Sequence, residues 1–455
     1  MPRVWDVPVH DSTRVRDVRV AAEEAAAAAG LDDRRTAAAA LVATELATNL
    51  LKHAEGGEVL IDVVAPSVLR GGPVDHRVVQ IAALDHGPGI RDVPAAMRDG
   101  VSATGSLGAG LGTCLRLSDD FDVHSVPGRG TVAVARVGRV PRRRGLVRAG
   151  SALAGRISWT HGGVPRAGGA PGAGSYDAAG HGGRPSSDGG PGAGAPAAHR
   201  GYGPAEGAAP ADGAWYGVPG GTQDGGGASG QGAPGGSPAP HGDGRGAERP
   251  SVCGVRAGGV NVPFAGAAYS GDAWAWVRDE DRVTLMMADG LGHGPEAARA
   301  STAAVEALHR SAHLTPAESL RQLHSALGGT RGAAVAVAQL DTRARRLRFA
   351  GVGNIGARLR QDGTWRSLLS RPGIVGVHRP TTLREEEVAW ADDRMLILHT
   401  DGLPSRWTPP SDPALPAADP AVTAAVTIRD ASSSARPVRD DTAVAVLTPT
   451  PPDRP

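Results

Sequence analysis

The stretch Leu285-Met286-Met287-Ala288-Asp289-Gly290-Leu291-Gly292-His293-Gly294 decides the fold of the second half of the chain. An apolar run that stops on Asp-Gly-x-Gly-His-Gly reads as a strand delivering a carboxylate to a turn. The small neighbours leave room for a ligand. Helices over 295–309 and 316–327 follow. Working outward, the arrangement recurs. Ser270-Gly271-Asp272 opens a β-like run, and a strand over 394–400 ends in Asp401-Gly402. Arg439-Asp440-Asp441-Thr442 enters a last strand over 443–447, and further strands are expected over 333–341, 346–352 and 357–360.

Acidic residues therefore sit at strand ends: Asp272, Asp289, Asp401, and Asp440 or Asp441. Any one of them alone is what a turn or cap commonly carries. Four carboxylates converging in one cleft repel unless divalent cations lie between them, and hard oxygen ligands favour magnesium or manganese over zinc. A two-metal site lowers the pKa of a bridging water and presents hydroxide in line with a phosphoester. His293 and His399 lie near this cleft and read as structural.

Upstream, helices are expected over 12–29 and 33–54. The second runs through Glu45-Leu46-Ala47-Thr48-Asn49-Leu50-Leu51-Lys52-His53-Ala54. Glu45 and Asn49 are four residues apart and share one face, with Lys52 one turn further. Lys52 is the only lysine among 48 basic residues. A carboxylate, a carboxamide and a lysine on one helix suit a magnesium ion and a phosphate tail. Strands over 59–64 and 78–83 come next, and the latter runs into Leu84-Asp85-His86-Gly87-Pro88-Gly89-Ile90. Asp85 at a strand end can accept a hydrogen bond from an adenine amino group. Thr104-Gly105-Ser106-Leu107-Gly108-Ala109-Gly110-Leu111-Gly112-Thr113 then leads into a helix over 114–121, where backbone amides and the helix dipole can meet phosphate oxygens. A strand ending in Gly128-Arg129-Gly130-Thr131 closes the region.

The chain has 455 residues, 3 % of them aromatic, with 66 Gly and 36 Pro. The Gly and Pro concentrate between about 159 and 250, where Leu, Ile, Phe, Met and Cys are absent. Such a segment has nothing to bury against the entropy cost of ordering. The reading is two globular regions, 1–140 and 252–450, a disordered tether over 141–251, and a short disordered tail at 451–455. A net charge of +1 gives no general pull toward nucleic acid or membrane. Two cysteines make neither a disulfide framework nor a zinc site. An N-terminus without an apolar leader points to the cytoplasm. The sequence leaves the oligomeric state open.

In this order the N-terminal motifs resemble the GHKL ATPases, in the anti-sigma-factor and switch-kinase branch of RsbW and RsbT type. E-L-A-T-N-L-L-K-H-A is similar to the N-box, D-H-G-P-G-I to the first glycine box, and G-S-L-G-A-G-L-G to the second. The resemblance implies a Bergerat-type α/β sandwich, expected here with helices on one face of a mixed sheet, that binds ATP with magnesium. Asn49 would ligate the ion. Glu45 would act as general base on a serine hydroxyl or on water, and Asp85 would hold the adenine. Lys52, Gly87, Gly89, Gly108, Gly110, Gly112 and Thr131 would complete the nucleotide site.

The C-terminal half resembles the PPM metal-dependent phosphatases, in the SpoIIE/RsbX branch, on A-D-G-L-G-H-G-P-E-A-A-R-A-S, A-G-V-G-N-I and H-T-D-G-L. This implies an α-β-β-α sandwich with two Mn²⁺ or Mg²⁺ ions. Asp289 would bridge them and the Gly290 carbonyl would add a ligand. Asp401 and Asp440 would complete the second ion's shell, with Asp272 close by. The usual D-D-x-T ending is compressed here to Asp440-Asp441-Thr442, so Asp440 is favoured and Asp441 kept. The overall class is α+β in two domains. The combined expectation is a serine/threonine phosphatase acting on a STAS-type anti-sigma antagonist or scaffold, with an opposing ATP-dependent kinase-like domain. The alternative is a nucleotide-binding module that captures a STAS protein or a sigma factor and carries a silent phosphatase.

Overall fold

The computed structural model describes residues 3–64, 68–69, 77–97, 110–138, 254–432 and 440–451. The expected tether over 141–251, tail residues 452–455 and Gly108 lie outside the described residues.

The first domain runs β1 (Val4–Val9), α1 (Ser12–Ala28), α2 (Asp33–His53), β2 (Gly57–Val64), β3 (Val68–Leu69), β4 (Val78–Leu84), α3 (Val93–Ala96), α4 (Gly110–Leu117), β5 (Asp120–Val126) and β6 (Gly130–Gly138). Asp11 and Asp32 cap α1 and α2 by accepting backbone N–H groups of their first turns. The sheet order is β1-β2-β4-β6-β5 and every neighbouring pair is antiparallel, so the expected mixed sheet is corrected. The helix expected over 114–121 ends at Leu117 instead. The Asp119 backbone N–H bonds the Arg136 carbonyl at 2.8 Å, and its carboxylate takes the Gly138 N–H at 2.7 Å and an ion pair with Arg35. These contacts pull the chain into β5 before Phe121. The Gly128–Thr131 stretch is likewise the turn that opens β6 rather than a strand end, with φ of 77° at Gly128 and 90° at Gly130.

Strand alternation gives this sheet two apolar faces. Trp5, Val7, Ile61 and Ile81 pack with α1 and α2, the face the sequence assigns to helices. Leu60, Ala82, Leu84, Val132 and Val134 point the other way and are also buried.

The second domain contains β7 (Val255–Val262), β8 (Asp272–Asp279), β9 (Arg282–Gly290), α5 (Pro295–Ser311), α6 (Pro316–Ala326), β10 (Ala333–Asp341), β11 (Arg346–Val352), β12 (Gly356–Gln361), β13 (Thr364–Leu368), β14 (Glu386–Ala389), β15 (Met395–His399), α7 (Pro420–Ala431) and β16 (Thr442–Pro449). Two sheets, β14-β11-β10-β9-β8 and β13-β12-β15-β16-β7, are antiparallel throughout; β3 of the first domain joins the free edge of β8 in parallel. Leu285, Met287, Phe349, Leu396 and Leu398 fill the space between the sheets. Helices α5 and α6 cover one outer face, and α7 covers the other.

Helix α7 reads Pro-Ala-Val-Thr-Ala-Ala-Val-Thr-Ile-Arg-Asp-Ala and is buried at every position from Pro420 to Arg429. A helix without a polar face needs cover on all sides. The first domain supplies it: the second face of its sheet shares one core with Val260, Val262, Val422, Val426 and Val444. Polar contacts rim this core. Arg136 grips Asp419, the N-cap of α7, through two bonds of 2.8 Å, and Gln80 donates to the Gly259 carbonyl at 2.9 Å. Asp122 accepts the Asp419 N–H at 2.6 Å, and the His86 ring bonds the Arg429 carbonyl at 2.9 Å. The described parts of both domains therefore belong to one compact unit.

The same sheet face carries Asp62, whose carboxyl burial pushes up to about 6 from an unfolded value of 3.8. A raised carboxyl costs the native state nothing below its unfolded pKa. The cost grows as pH rises through this window and is complete above about 6. Asp62→Asn is thus expected to stabilise the protein by about 1–2 kcal/mol at pH 7, with no gain near pH 3.5, in paired thermal melts. An equal gain at both pH values would contradict this account.

Candidate functional site

The acidic strand ends meet at one edge of the second domain's sandwich. In the β8–β9 ladder, Asp272 lies directly opposite Asp289, and the Gly290 N–H bonds the Gly271 carbonyl at 3.0 Å. Asp272 is buried; its Oδ2 accepts the Thr400 hydroxyl at 2.6 Å, and that hydroxyl accepts the Ala443 N–H at 2.9 Å. One threonine thereby ties the first sheet to the junction of β15 and β16. Asp401 follows it and accepts Asn354 Nδ2 at 2.6 Å; Asn354 also bonds Asp289.

The Asp-Gly pairs have a steric reason. A Cβ on Gly290 would lie 2.1 Å from the Ala297 carbonyl oxygen, and one on Gly402 would lie 2.1 Å from the Thr442 hydroxyl. Only glycine lets α5 and β16 press against the turns that carry Asp289 and Asp401.

The two terminal aspartates separate. Asp441 is buried, and its two oxygens accept the Phe264 and Gly271 N–H groups, each at 2.8 Å. It pins the 263–271 segment beside Asp272. Asp440 is exposed and, among the described residues, its carboxylate accepts only the Asp441 N–H at 2.8 Å, at the same edge. His399 packs edge-on against Trp407 and bonds the Thr400 carbonyl, a structural role, while His293 is exposed.

Burial first, and then the charges of Asp401, Asp440 and Asp441, raise the Asp289 carboxyl to about 7. Burial and the Asp289 charge hold Asp272 well above its usual range. Among the described residues no Arg or Lys pairs with Asp272, Asp289, Asp401, Asp440 or Asp441. Among the same residues no three His, Cys, Asp or Glu side chains are closed into a ligand cage. The edge is thus a set of hard oxygen donors, mutually repelling and uncompensated, and that chemistry fits divalent cations.

The first domain holds a second constellation. On α2, Glu45 and Asn49 converge on the start of α4: a Cβ at Gly110 would lie 3.2 Å from Asn49 Oδ1 and 3.4 Å from Glu45 Oε2. Asp85 is buried at the end of β4 and accepts the Gly87 N–H at 2.8 Å and the Thr131 N–H at 3.1 Å. Burial raises its carboxyl, and these two bonds oppose the shift. Gly89 has φ of 71°, and a Cβ on Gly130 would lie 2.0 Å from the Asp85 carbonyl oxygen, so both turns demand glycine. Gly112 is buried within α4, whereas Lys52 is exposed at the last turn of α2. Among the described residues Lys52 has no hydrogen-bond or ion-pair partner.

Three residues escape the sequence reading. Thr400 and Asn354 have no spacing signature, although Asn354 lies inside the quoted A-G-V-G-N-I. Ser125 accepts the Ile90 N–H at 2.7 Å and bonds the Thr131 hydroxyl at 2.9 Å, holding the 85–90 turn against β5. If Asn354 positions Asp401 and Asp289, Asn354→Ala lowers kcat by roughly 10–100-fold while the melting temperature stays close to wild type. Unchanged kcat in steady-state assays would remove Asn354 from the site.

Residues 279–449 match the family Stage II sporulation protein E (SpoIIE), and residues 9–136 match the Histidine kinase-like ATPase domain. Serine/threonine-protein kinase RsbT of Bacillus subtilis (strain 168) is 42 % identical over 88 residues, 19 % of this chain and 61 % of that protein. The chain therefore spans less than two thirds of this relative. Among solved structures, RsbX in complex with magnesium aligns with a TM-score of 0.37 at 19 % identity, covering 43 % of this chain and 96 % of that one. The PP2C phosphatase domain of SpoIIE from Bacillus subtilis aligns at 0.38 and 16 % identity, covering 43 % and 64 %. The chain thus carries a region that matches a histidine kinase-like ATPase domain, followed by a region that matches the SpoIIE phosphatase family. The similarity to RsbT falls within 19 % of this chain.

Proposed function

We propose that the protein is a metal-dependent serine/threonine phosphatase of a partner-switching pathway. Its substrate is a phosphorylated STAS-type antagonist or scaffold, and its first domain binds ATP and opposes or regulates that reaction. The observation that carries the reading is the uncompensated carboxylate edge formed by Asp272, Asp289, Asp401 and Asp440. Asp289, the Gly290 carbonyl, Asp401 and Asp440 would hold two Mn²⁺ or Mg²⁺ ions. Bound there, the ions supply hydroxide from water at neutral pH. The protein's own part is to keep Asp272 in place through Thr400, to aim Asp401 and Asp289 through Asn354, and to brace the edge through Asp441. Asp85, Glu45 and Asn49, with magnesium, would serve ATP in the first domain.

The test is to incubate the full chain with a phosphorylated STAS protein and Mn²⁺, and separately to incubate the unphosphorylated protein with labelled ATP. Chelator-sensitive phosphate release is expected, together with label transfer that Glu45→Ala removes. Tight STAS binding with neither reaction would favour a capture module carrying a silent phosphatase.

A further inference from the structure

Between β13 and β14 the chain forms a strap, and isolated bridges fasten it to the ends of β10 and β11: Ala333 pairs with Val375, and Val352 with Arg371. The Arg371 carbonyl accepts the Gly353 N–H at 2.8 Å, directly before Asn354. One end of the strap is therefore fixed next to a residue that touches Asp401 and Asp289. Along it lies a groove of about 740 Å³ lined by Arg371, His378, Arg379, Thr381, Thr382 and Arg384 together with two prolines and Leu383, with no carboxylate among its lining residues.

Some arginines of this domain meet acids, as Arg346 and Arg348 meet Glu387. Among the described residues, Arg371, Arg379 and Arg384 have no such partner. Nε of Arg379 is buried without any hydrogen-bond partner, so a donor is held in place with nothing to donate to. Arg379 Nη1 reaches only the Pro380 carbonyl, at 3.3 Å, so three guanidinium groups without an acidic partner line one concavity and favour carboxylate and phosphate groups, which guanidinium can grip in bidentate fashion.

We propose that this groove binds the acidic chain that flanks the phosphorylated residue of the protein substrate. The inference rests on the phosphatase reading above. The metal edge is itself acidic and offers such a segment no attraction, so the pull must come from beside it, and the strap supplies it. The adjoining carboxylate edge and the chain's net charge of +1 do not suit a long nucleic acid.

Full-length protein is titrated into two fluorescent phosphoserine peptides, one flanked by Asp and Glu and one by Asn and Ser. Anisotropy is read in EDTA so that neither peptide is consumed. The acidic peptide is expected to bind at least tenfold more tightly than the neutral one. Arg371→Ala with Arg384→Ala removes that difference, and Arg371→Glu with Arg384→Glu reverses it toward a Lys-flanked peptide. Mn²⁺-dependent turnover of p-nitrophenyl phosphate stays within twofold in both variants, which also reports that they are folded. Equal binding of the two peptides by wild type, or a preference that survives in both variants, overturns the proposal. So does a single-stranded oligonucleotide that displaces the acidic peptide and depends on the same arginines. Failure of wild type to turn over p-nitrophenyl phosphate counts against the phosphatase reading, and the anisotropy comparison still judges the groove.

Discussion

Asp289→Asn is expected to reduce Mn²⁺-dependent hydrolysis of p-nitrophenyl phosphate by the full chain on the order of 10³-fold, about 4 kcal/mol of transition-state stabilisation. The substitution keeps the size of the side chain and its place opposite Asp272, so the β8–β9 ladder should survive. What it removes is the charge at the centre of the acidic edge. The unfolding temperature should hold or rise, because the carboxyl held at about 7 by burial and the neighbouring acids no longer repels them. The terminal pair refines the test. Asp440→Asn should weaken Mn²⁺ dependence with little effect on stability, since Asp440 is exposed. Asp441→Asn should instead lower stability, because two backbone N–H groups lose a charged acceptor. A variant Asp289→Asn with wild-type turnover would withdraw the metal assignment.

The second large effect concerns the union of the domains. Arg136→Leu is expected to destabilise the protein by about 3 kcal/mol, because it leaves the part-buried Asp419 carboxylate with only the Ala421 N–H and the charge of Arg256 to offset it. Burial alone would raise the Asp419 carboxyl, and the Arg136 charge and its two bonds reverse that, holding it below its usual value. Adding Asp419→Asn to the same chain should restore part of the loss, since an apolar and neutral pair avoids a lone buried charge. Chemical unfolding of the four proteins in the cycle measures the coupling. Strict additivity would show that the pair does not hold the domains together. The same core means that the second domain made alone exposes Val260, Val422 and Val426, so activity is best sought in the full chain.

Asp289 and Asp401 were legible as candidate site residues because each sits beside a glycine that close packing requires. Asp289-Gly290 and Asp401-Gly402 mark points where α5 and β16 press on the turns. Asp85 was legible for the related reason that Gly87 and Gly130 crowd around it. The shared core was not legible. Leu60, Ala82 and Val134 alternate as a strand should, but nothing local says that both faces of their sheet are covered. Helix α7 carries no polar face and so no helical period, and its cover comes from the first domain's sheet, far earlier in the chain. Thr400 and Asn354 were missed because their roles arise from pairing between strands distant in sequence. The helix ends before Phe121 because at Ser118-Asp119 the chain turns to bond β6.

The most direct test of the central claim is phosphate release from p-nitrophenyl phosphate by the purified full chain, measured with Mn²⁺, then with EDTA, then with Mn²⁺ restored. The account predicts turnover that stops with chelator and returns with the metal. Turnover indifferent to EDTA, or none at all from folded protein that has taken up Mn²⁺, would contradict it.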